Sequence, residues 1–328
     1  MLRRLTVRID RRPLAAPFRI SRGVRTVADL LVVELAQGNV VGRGESAPNA
    51  RYGESVESGM AQLEALRSAI ESGLGRAELG RELPAGSARN ALDCALWDLD
   101  ARLTGESAAM LAGVPPPTAL VTAQTIGVET PQAMAEAATA LAGLPLIKVK
   151  VDANDPAAQL RAVRQAAPAP ALIVDANEAW SPALLAAMLP ILAELRVDLL
   201  EQPLPAGKDD ALTELRGETP ICADESCHVA ADVARLAGRY QAVNIKLDKT
   251  GGLTGALELL AAARQAGMRV MTGCMICSSL SIAPAFLVAS QSDFADLDGP
   301  LWLAQDHEGG VRLDGGLLAA PAGALWGT

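Results

Sequence analysis

The chain has 328 residues, half of them hydrophobic, and a formal net charge of −9 at pH 7. That length supports one large domain or two moderate ones, and the negative balance argues against sequence-independent nucleic-acid binding and against an anionic membrane surface. No run of about 20 uncharged apolar residues occurs, so no membrane span is expected; the basic start MLRRLTVRIDRRP lacks a signal peptide's apolar run, and five scattered cysteines read as reduced thiols of a cytoplasmic protein.

In chain order, LTVRI (5–9), PFRIS (17–21), DLLVVELA (29–36) and VVGRGES (40–46) read as antiparallel strands. Helical stretches follow near 55–72 and 87–103, the second capped by Ser87. GVPPPT (113–118) is a proline-rich linker. From Val121 to Asp298 one theme repeats: short apolar runs end in polar residues, at VTAQTI (121–126), LIKVKV (146–151), ALIVDAN (171–177), DLLEQP (198–203), PICADES (220–226), AVNIKLD (242–248), RVMTGC (269–274) and FADLD (294–298). Helix-like segments lie between them near 131–142, 156–166, 182–195, 209–216, 229–237, 253–266 and 279–289. Eight strands alternating with seven helices predict parallel strands, helical crossovers and closure into a barrel. The predicted fold is α/β: a (β/α)7β modified TIM barrel over 116–308, preceded by an α+β capping domain over 1–115. A glycine- and leucine-rich segment, 309–328, is expected to return to the cap.

Active sites of such barrels lie at the C-terminal strand ends. Those ends carry Lys148 and Lys150, then Asp175, Glu201, Asp224 with Glu225, Lys246 with Asp248, and Asp296 with Asp298. Asp175, Glu201 and Asp224 stand on three successive strands and make an oxygen donor set for a hard divalent cation, one Mg²⁺ per subunit. Acids of this kind also cap helix N-termini, which accounts for one of them better than for a run of three. Lysine is scarce: only Lys148, Lys150, Lys208, Lys246 and Lys249, against 24 arginines. Lys148 and Lys150 are two apart and share a strand face. Neither face of a parallel barrel strand is exposed, so the pair points inward. Mutual repulsion and a nearby cation favour the neutral amine of one lysine, a state closed to arginine. Lys246 lies across the mouth, on the sixth strand. A cation between two opposed lysines suits inversion at a carbon beside a carboxylate: one lysine removes the proton, the cation stabilises the enediolate, and the other lysine returns a proton to the opposite face. Cys274-Met275-Ile276-Cys277 has CxxC spacing but no second pair, and reads as core thiols.

The segments KVK (148–150), VDAN (174–177), EQP (201–203), ADES (223–226) and NIKLDKTGG (244–252) resemble the muconate-lactonising subgroup of the enolase superfamily, and within it the dipeptide epimerases. The resemblance spans the whole chain. It implies a Mg²⁺-dependent epimerase inverting the α-carbon of a dipeptide's C-terminal residue, L-Ala-D-Glu or L-Ala-L-Glu, as in recycling of cell-wall peptides. It implies Lys150 and Lys246 as the acid–base pair, with Lys148 tuning Lys150 and touching the substrate carboxylate. Asp296 and Asp298 would bind the substrate's α-ammonium, a cation suited to paired carboxylates. Arg25, in the cap segment ISRGVRTVADL (20–30), would meet the glutamate side chain from a mobile loop, with Arg22 nearby. Thr125, Cys274 and Ile276 would contact the dipeptide backbone, and Glu225 and Asp248 would support the cation's ligands. Cys277 stands where many members of the subgroup have glutamate, which weakens a succinylbenzoate synthase or cycloisomerase reading. Other dipeptide specificities and a non-catalytic metal-dependent binder stay open, and a homo-oligomer is compatible with the sequence.

Overall fold

The computed structural model describes residues 2–20 and 23–327. Its N-terminal sheet has three antiparallel strands, Arg3–Ile20, Gly23–Gln37 and Val40–Ser46. The two short strands predicted within the first are one long edge strand whose register shifts between Pro13 and Phe18. Pro13 and Pro17 are tolerated there because an edge strand has one unpaired row of N–H groups. The central strand is buried on both faces. Leu31, Val33 and Leu35 enter the cap core with Leu92 and Leu96, while Leu30 and Val32 join the core that runs into the barrel. The period of two thus makes this strand the wall between two cores.

The cap helix Ser87–Thr104 lies directly on the third strand. Gly42 and Gly44 permit this, since a Cβ on Gly42 would run into Ala95 and Leu99, and one on Gly44 into the Ala91 carbonyl. Ser87 is not the cap predicted from the sequence. Gly86, at φ 150°, makes the turn, and the Glu54 carboxylate accepts from Ser87 N at 2.8 Å.

Eight parallel strands, Gln124–Ile126, Leu146–Lys150, Ala171–Asp175, Leu199–Glu201, Ile221–Ala223, Ala242–Ile245, Arg269–Gly273 and Phe294–Asp296, pair in sequence order. Ala123 N donates to Ala295 O at 2.9 Å, and Leu297 N to Thr122 Oγ1 at 2.8 Å, drawing the last strand to the first. The helices Pro131–Leu141, Pro156–Ala166 and Pro182–Glu194 each start the same way. Thr130, Asp155 and Ser181 cap them, and proline follows in the first turn. The fourth and fifth crossovers are shorter than predicted, with only the turns Asp210–Thr213, Ala230–Asp232 and Val233–Leu236. Gly207 at φ 75° and the Gly217–Pro220 segment bracket the first of these, and Asp209 is tied down by its side chain. A short helix not predicted, Leu247–Thr250, follows the sixth strand.

The hairpin Arg312–Asp314 and Leu317–Ala319 adds to Leu120–Val121 at the barrel's start. Beyond it, Trp326 Nε1 donates to Cys94 O at 3.0 Å and Gly327 N to Asp98 Oδ1 at 2.7 Å, on the cap helix. Among the described residues no helix is long and apolar enough to cross a membrane.

Candidate active site

The barrel interior is layered. Its lower end is plugged by Ala123, Leu146, Ile173, Leu199, Cys222, Ala242 and Met271. Alternate residues share a strand face, so each inward chain passes from apolar plug to polar floor: Leu146 to Lys148 and Lys150, Ile173 to Asp175, Leu199 to Glu201, Cys222 to Asp224, Ala242 to Asn244 and Lys246. The second and sixth strands are four apart in an eight-strand ring, so Lys150 and Lys246 face each other across the mouth.

Lys148 is the most enclosed of the three lysines. Its Nζ lies 2.8 Å from Asp296, 2.6 Å from Glu201 Oε2 and 3.2 Å from Asp175. Burial pulls its pKa down, but Asp296, Glu201 and Asp175 outweigh this and hold it well above the ordinary lysine value. Lys148 is therefore not the lysine whose neutral amine is favoured, because three carboxylates surround it. Lys150 Nζ donates to Asp175 Oδ2 at 2.8 Å and to Asn177 Oδ1 at 3.0 Å. Lys246 Nζ donates to Asp224 Oδ2 at 2.8 Å. Burial lowers its pKa, Asp224 and Glu201 raise it, and the net is well above the usual value.

The acids differ among themselves. Burial raises Asp175, yet Lys150 and Lys148 hold it below the usual carboxylate range. Asp224 is likewise raised by burial but driven far down by Lys246 and Lys249. Glu201 is pushed up to about 7, by burial and then by the charge of Asp175. Asp298 rises to about 6, by burial and then by Asp296, while its Oδ2 accepts from Thr125 N at 3.0 Å and Trp302 Nε1 at 3.3 Å.

A cavity of about 470 Å³ opens above this floor, between barrel and cap. Arg25, Thr125, Lys148, Lys150, Asp224, Glu225, Lys246, Cys274, Ile276, Asp296 and Asp298 all line it. Arg25 stands on the second cap strand, paired with Phe18 of the first, where a loop was expected; Arg22 lies outside the described residues. Asp175 and Glu201 lie beneath the lining, almost fully buried. Asp248 is elsewhere: its Oδ1 accepts from Ala47 N at 3.0 Å and Asn90 Nδ2 at 2.8 Å, joining cap to barrel. It stands in the unpredicted helical turn after Lys246.

Four residues of the floor were not singled out from the sequence. Asn244 Nδ2 donates to Glu201 Oε1 at 2.7 Å. Lys249 Nζ donates to Asp224 Oδ1 and Asp224 O, both at 2.6 Å. Asn177 meets Lys150, and Gln202 packs between the fourth and fifth strand ends. For Lys249 a signal existed, the scarcity of lysine itself; for Asn244 it was a position two before Lys246.

The oxygen-only donor set fits a hard divalent cation. Six carboxylates, Asp175, Glu201, Asp224, Glu225, Asp296 and Asp298, face four ammonium groups, Lys148, Lys150, Lys246 and Lys249, all buried. Burial, and after it the charge of Asp175, holds the Glu201 pKa up within this cluster. Among the described residues no group of three His, Cys, Asp or Glu side chains converges as a ready-made metal cluster; Lys148 stands between Asp175 and Glu201 instead.

The chain matches the family described as Mandelate racemase / muconate lactonizing enzyme, N-terminal domain, over residues 3–113, and that described as Enolase C-terminal domain-like over residues 132–326. It therefore belongs to the enolase superfamily, in the mandelate racemase/muconate lactonizing group. It is 50% identical to L-Ala-D/L-Glu epimerase of Escherichia coli (strain K12) over 308 residues, 93% of this chain and 96% of that one. A crystal structure of an enolase family member from Agrobacterium tumefaciens with homology to dipeptide epimerases, bound to sodium and L-Ala-L-Glu, is 47% identical with a TM-score of 0.97, covering 99% of this chain and 100% of that one. A dipeptide epimerase from Methylococcus capsulatus complexed with Mg and L-Arg-D-Lys is 33% identical with a TM-score of 0.89, covering 98% and 97%.

Proposed function

We propose that this enzyme is a Mg²⁺-dependent dipeptide epimerase whose substrates are L-Ala-D-Glu and L-Ala-L-Glu. The observation that carries the reading is the placement of Lys150 and Lys246 on opposite strands of one buried, acid-rich floor, in a chain half identical to an L-Ala-D/L-Glu epimerase. Asp175, Glu201 and Asp224 are the residues that would hold the cation. When bound, the cation supplies fixed positive charge against which negative charge on the substrate carboxylate builds as the α-proton leaves. Lys150 and Lys246 then act from opposite faces of the α-carbon: in one direction the first removes the proton and the second returns one, and the reverse reaction exchanges their roles. Each lysine is paired with an acid of the same set, Lys150 with Asp175 and Lys246 with Asp224. The acids that would hold the cation thus also aim the two amines.

Asp296 and Asp298 are assigned to the substrate's α-ammonium and Arg25 to the glutamate carboxylate, with Thr125, Cys274 and Ile276 along the peptide unit and Glu225 beside Asp224. In this reading residues 1–115, with the segment near 20–30, serve specificity; 116–308 carry the chemistry; 309–328 tie the two together. A cytoplasmic location accords with five free cysteines. A second specificity, for a dipeptide with an apolar C-terminal residue such as Ala-Phe, is favoured by the apolar lining from Phe18, Val24, Ile276 and Trp302. A dipeptide library incubated with enzyme and Mg²⁺ in D₂O, followed by mass spectrometry, separates the two. Deuterium entering the α-carbon of Ala-Glu ahead of other dipeptides is expected; preferential labelling of a dipeptide lacking an acidic C-terminal residue would replace the Glu assignment.

A further inference from the structure

Gln202 follows Glu201 at the end of the fourth strand, in a left-handed conformation (φ 35°) that strains any non-glycine residue. Its side chain is wholly buried, and both ends of the amide are used. Oε1 accepts from Asp224 N at 2.9 Å and from Ser226 N at 3.0 Å. The two Nε2 protons serve three acceptors, Leu204 O at 2.8 Å, Ser226 Oγ at 3.0 Å and Tyr240 OH at 3.0 Å, the two hydroxyls sharing one of them.

The orientation of this amide is set from behind. Asp209 Oδ2 accepts from Ser226 Oγ at 2.6 Å and from Tyr240 OH at 2.7 Å. Arg239 donates to Asp209 Oδ1 at 3.1 Å, which favours the ionised, acceptor-only form of that carboxylate. The two hydroxyls lie 3.2 Å apart, but each makes its shortest contact to Asp209 Oδ2, so their protons point there and their lone pairs face the Gln202 amide. Only its NH₂ end can meet them, so Oε1 must face Asp224 N. An isosteric glutamate could accept from Asp224 N but could not donate to Leu204 O, and a methionine could do neither.

We propose that Gln202 is a positioning residue that fixes the spacing of Glu201 and Asp224, oriented by Asp209 through Ser226 and Tyr240, and so sets the affinity of the divalent-cation site. The strand end at 202 and the strand end at 224 are stitched by one rigid amide, and the adjacent carboxylates inherit its geometry. This rests on the cation reading above. Hydrogen-bonding groups that orient metal ligands typically change metal affinity by about 10- to 100-fold when removed.

The test is Mn²⁺ binding to the full-length protein, read by electron paramagnetic resonance as loss of the free-ion signal, alongside thermal unfolding of the metal-free protein. Gln202→Met is expected to raise the Mn²⁺ dissociation constant by about 10- to 100-fold, and Tyr240→Phe, which keeps the ring and removes one orienting hydroxyl, by a smaller factor. Metal-free unfolding of Tyr240→Phe is expected to change far less than its metal affinity. Wild-type affinity in a folded Gln202→Met protein would overturn the proposal. Should Gln202→Met fail to fold, wild-type affinity in Tyr240→Phe overturns it equally, and weakened affinity supports it. Wild-type protein that binds no Mn²⁺ would instead remove the cation reading on which this one stands.

Discussion

Lys148 and Lys150 share one strand face, yet their surroundings divide them. Both line the cavity, but Lys148 is locked among Asp175, Glu201 and Asp296, whereas Lys150 touches Asp175 and Asn177. Inward direction was legible from the spacing; the difference in role was not, because it depends on which acids the neighbouring strands bring alongside. Replacing either Lys150 or Lys246 by alanine is expected to lower kcat for epimerisation by at least the roughly 10²–10⁴-fold typical of a lost general acid or base. Solvent deuterium exchange into each epimer checks this, since a variant retaining one lysine can still exchange one epimer's α-proton. Unimpaired epimerisation in either variant would end the two-lysine scheme. Arg25 lies at the far wall, exposed and outside the proton-transfer chemistry. Arg25→Ala should therefore raise KM for L-Ala-L-Glu with a smaller effect on kcat, measured by steady-state kinetics, and should do little to a dipeptide with an uncharged C-terminal residue.

Elements were readable wherever local chemistry punctuates them. The three caps followed by proline begin their helices as the apolar rhythm predicts. The two truncated crossovers were misread because alanine- and leucine-rich composition favours helix, while their anchors, glycines and the tethered Asp209, act through distant contacts. The cap shows the converse case, in which glycine is demanded by an approach no local pattern reveals. Gly44→Ala would drive a methyl into the Ala91 carbonyl, and overpacking of this kind costs typically about 1–3 kcal/mol, more where backbone must move. Denaturant unfolding should show that loss. Gly143→Ala, with nothing within 4 Å of the added carbon, should unfold like the parent.

Across the whole molecule, cap and barrel meet through buried carboxylates. Glu45 accepts from Ser278 N at 2.8 Å and Ser278 Oγ at 2.6 Å, and burial pushes it up to about 7 against a usual 4.5. Burial likewise raises Asp248 to about 7 from 3.8. Both pKa values are higher folded than unfolded, so each carboxyl's contribution to stability is complete below its unfolded pKa and is lost as pH rises through about 7. For Glu45 the shift corresponds to about 3 kcal/mol. Unfolding free energies of the metal-free protein measured from pH 5 to pH 8 should fall more steeply for wild type than for Glu45→Gln. Parallel curves would show that Glu45 keeps the same protonation in both states.

The sequence by itself determined the alternation of strand and helix, the inward direction of Lys148, Lys150 and Lys246, and the run of acids on consecutive strand ends. These are local facts: a period of two along a strand and a polar residue where the apolar run stops. Tertiary structure alone decided that Asp248 turns to the cap, that Asn244 and Lys249 brace Glu201 and Asp224, and that Gln202 is held by Asp209 and Tyr240. Those partners lie far apart along the chain, with Asp209 31 residues from Tyr240. They meet only because the strands close in register into a ring, where a buried polar group must find its hydrogen-bond partner in whatever the neighbouring strand presents.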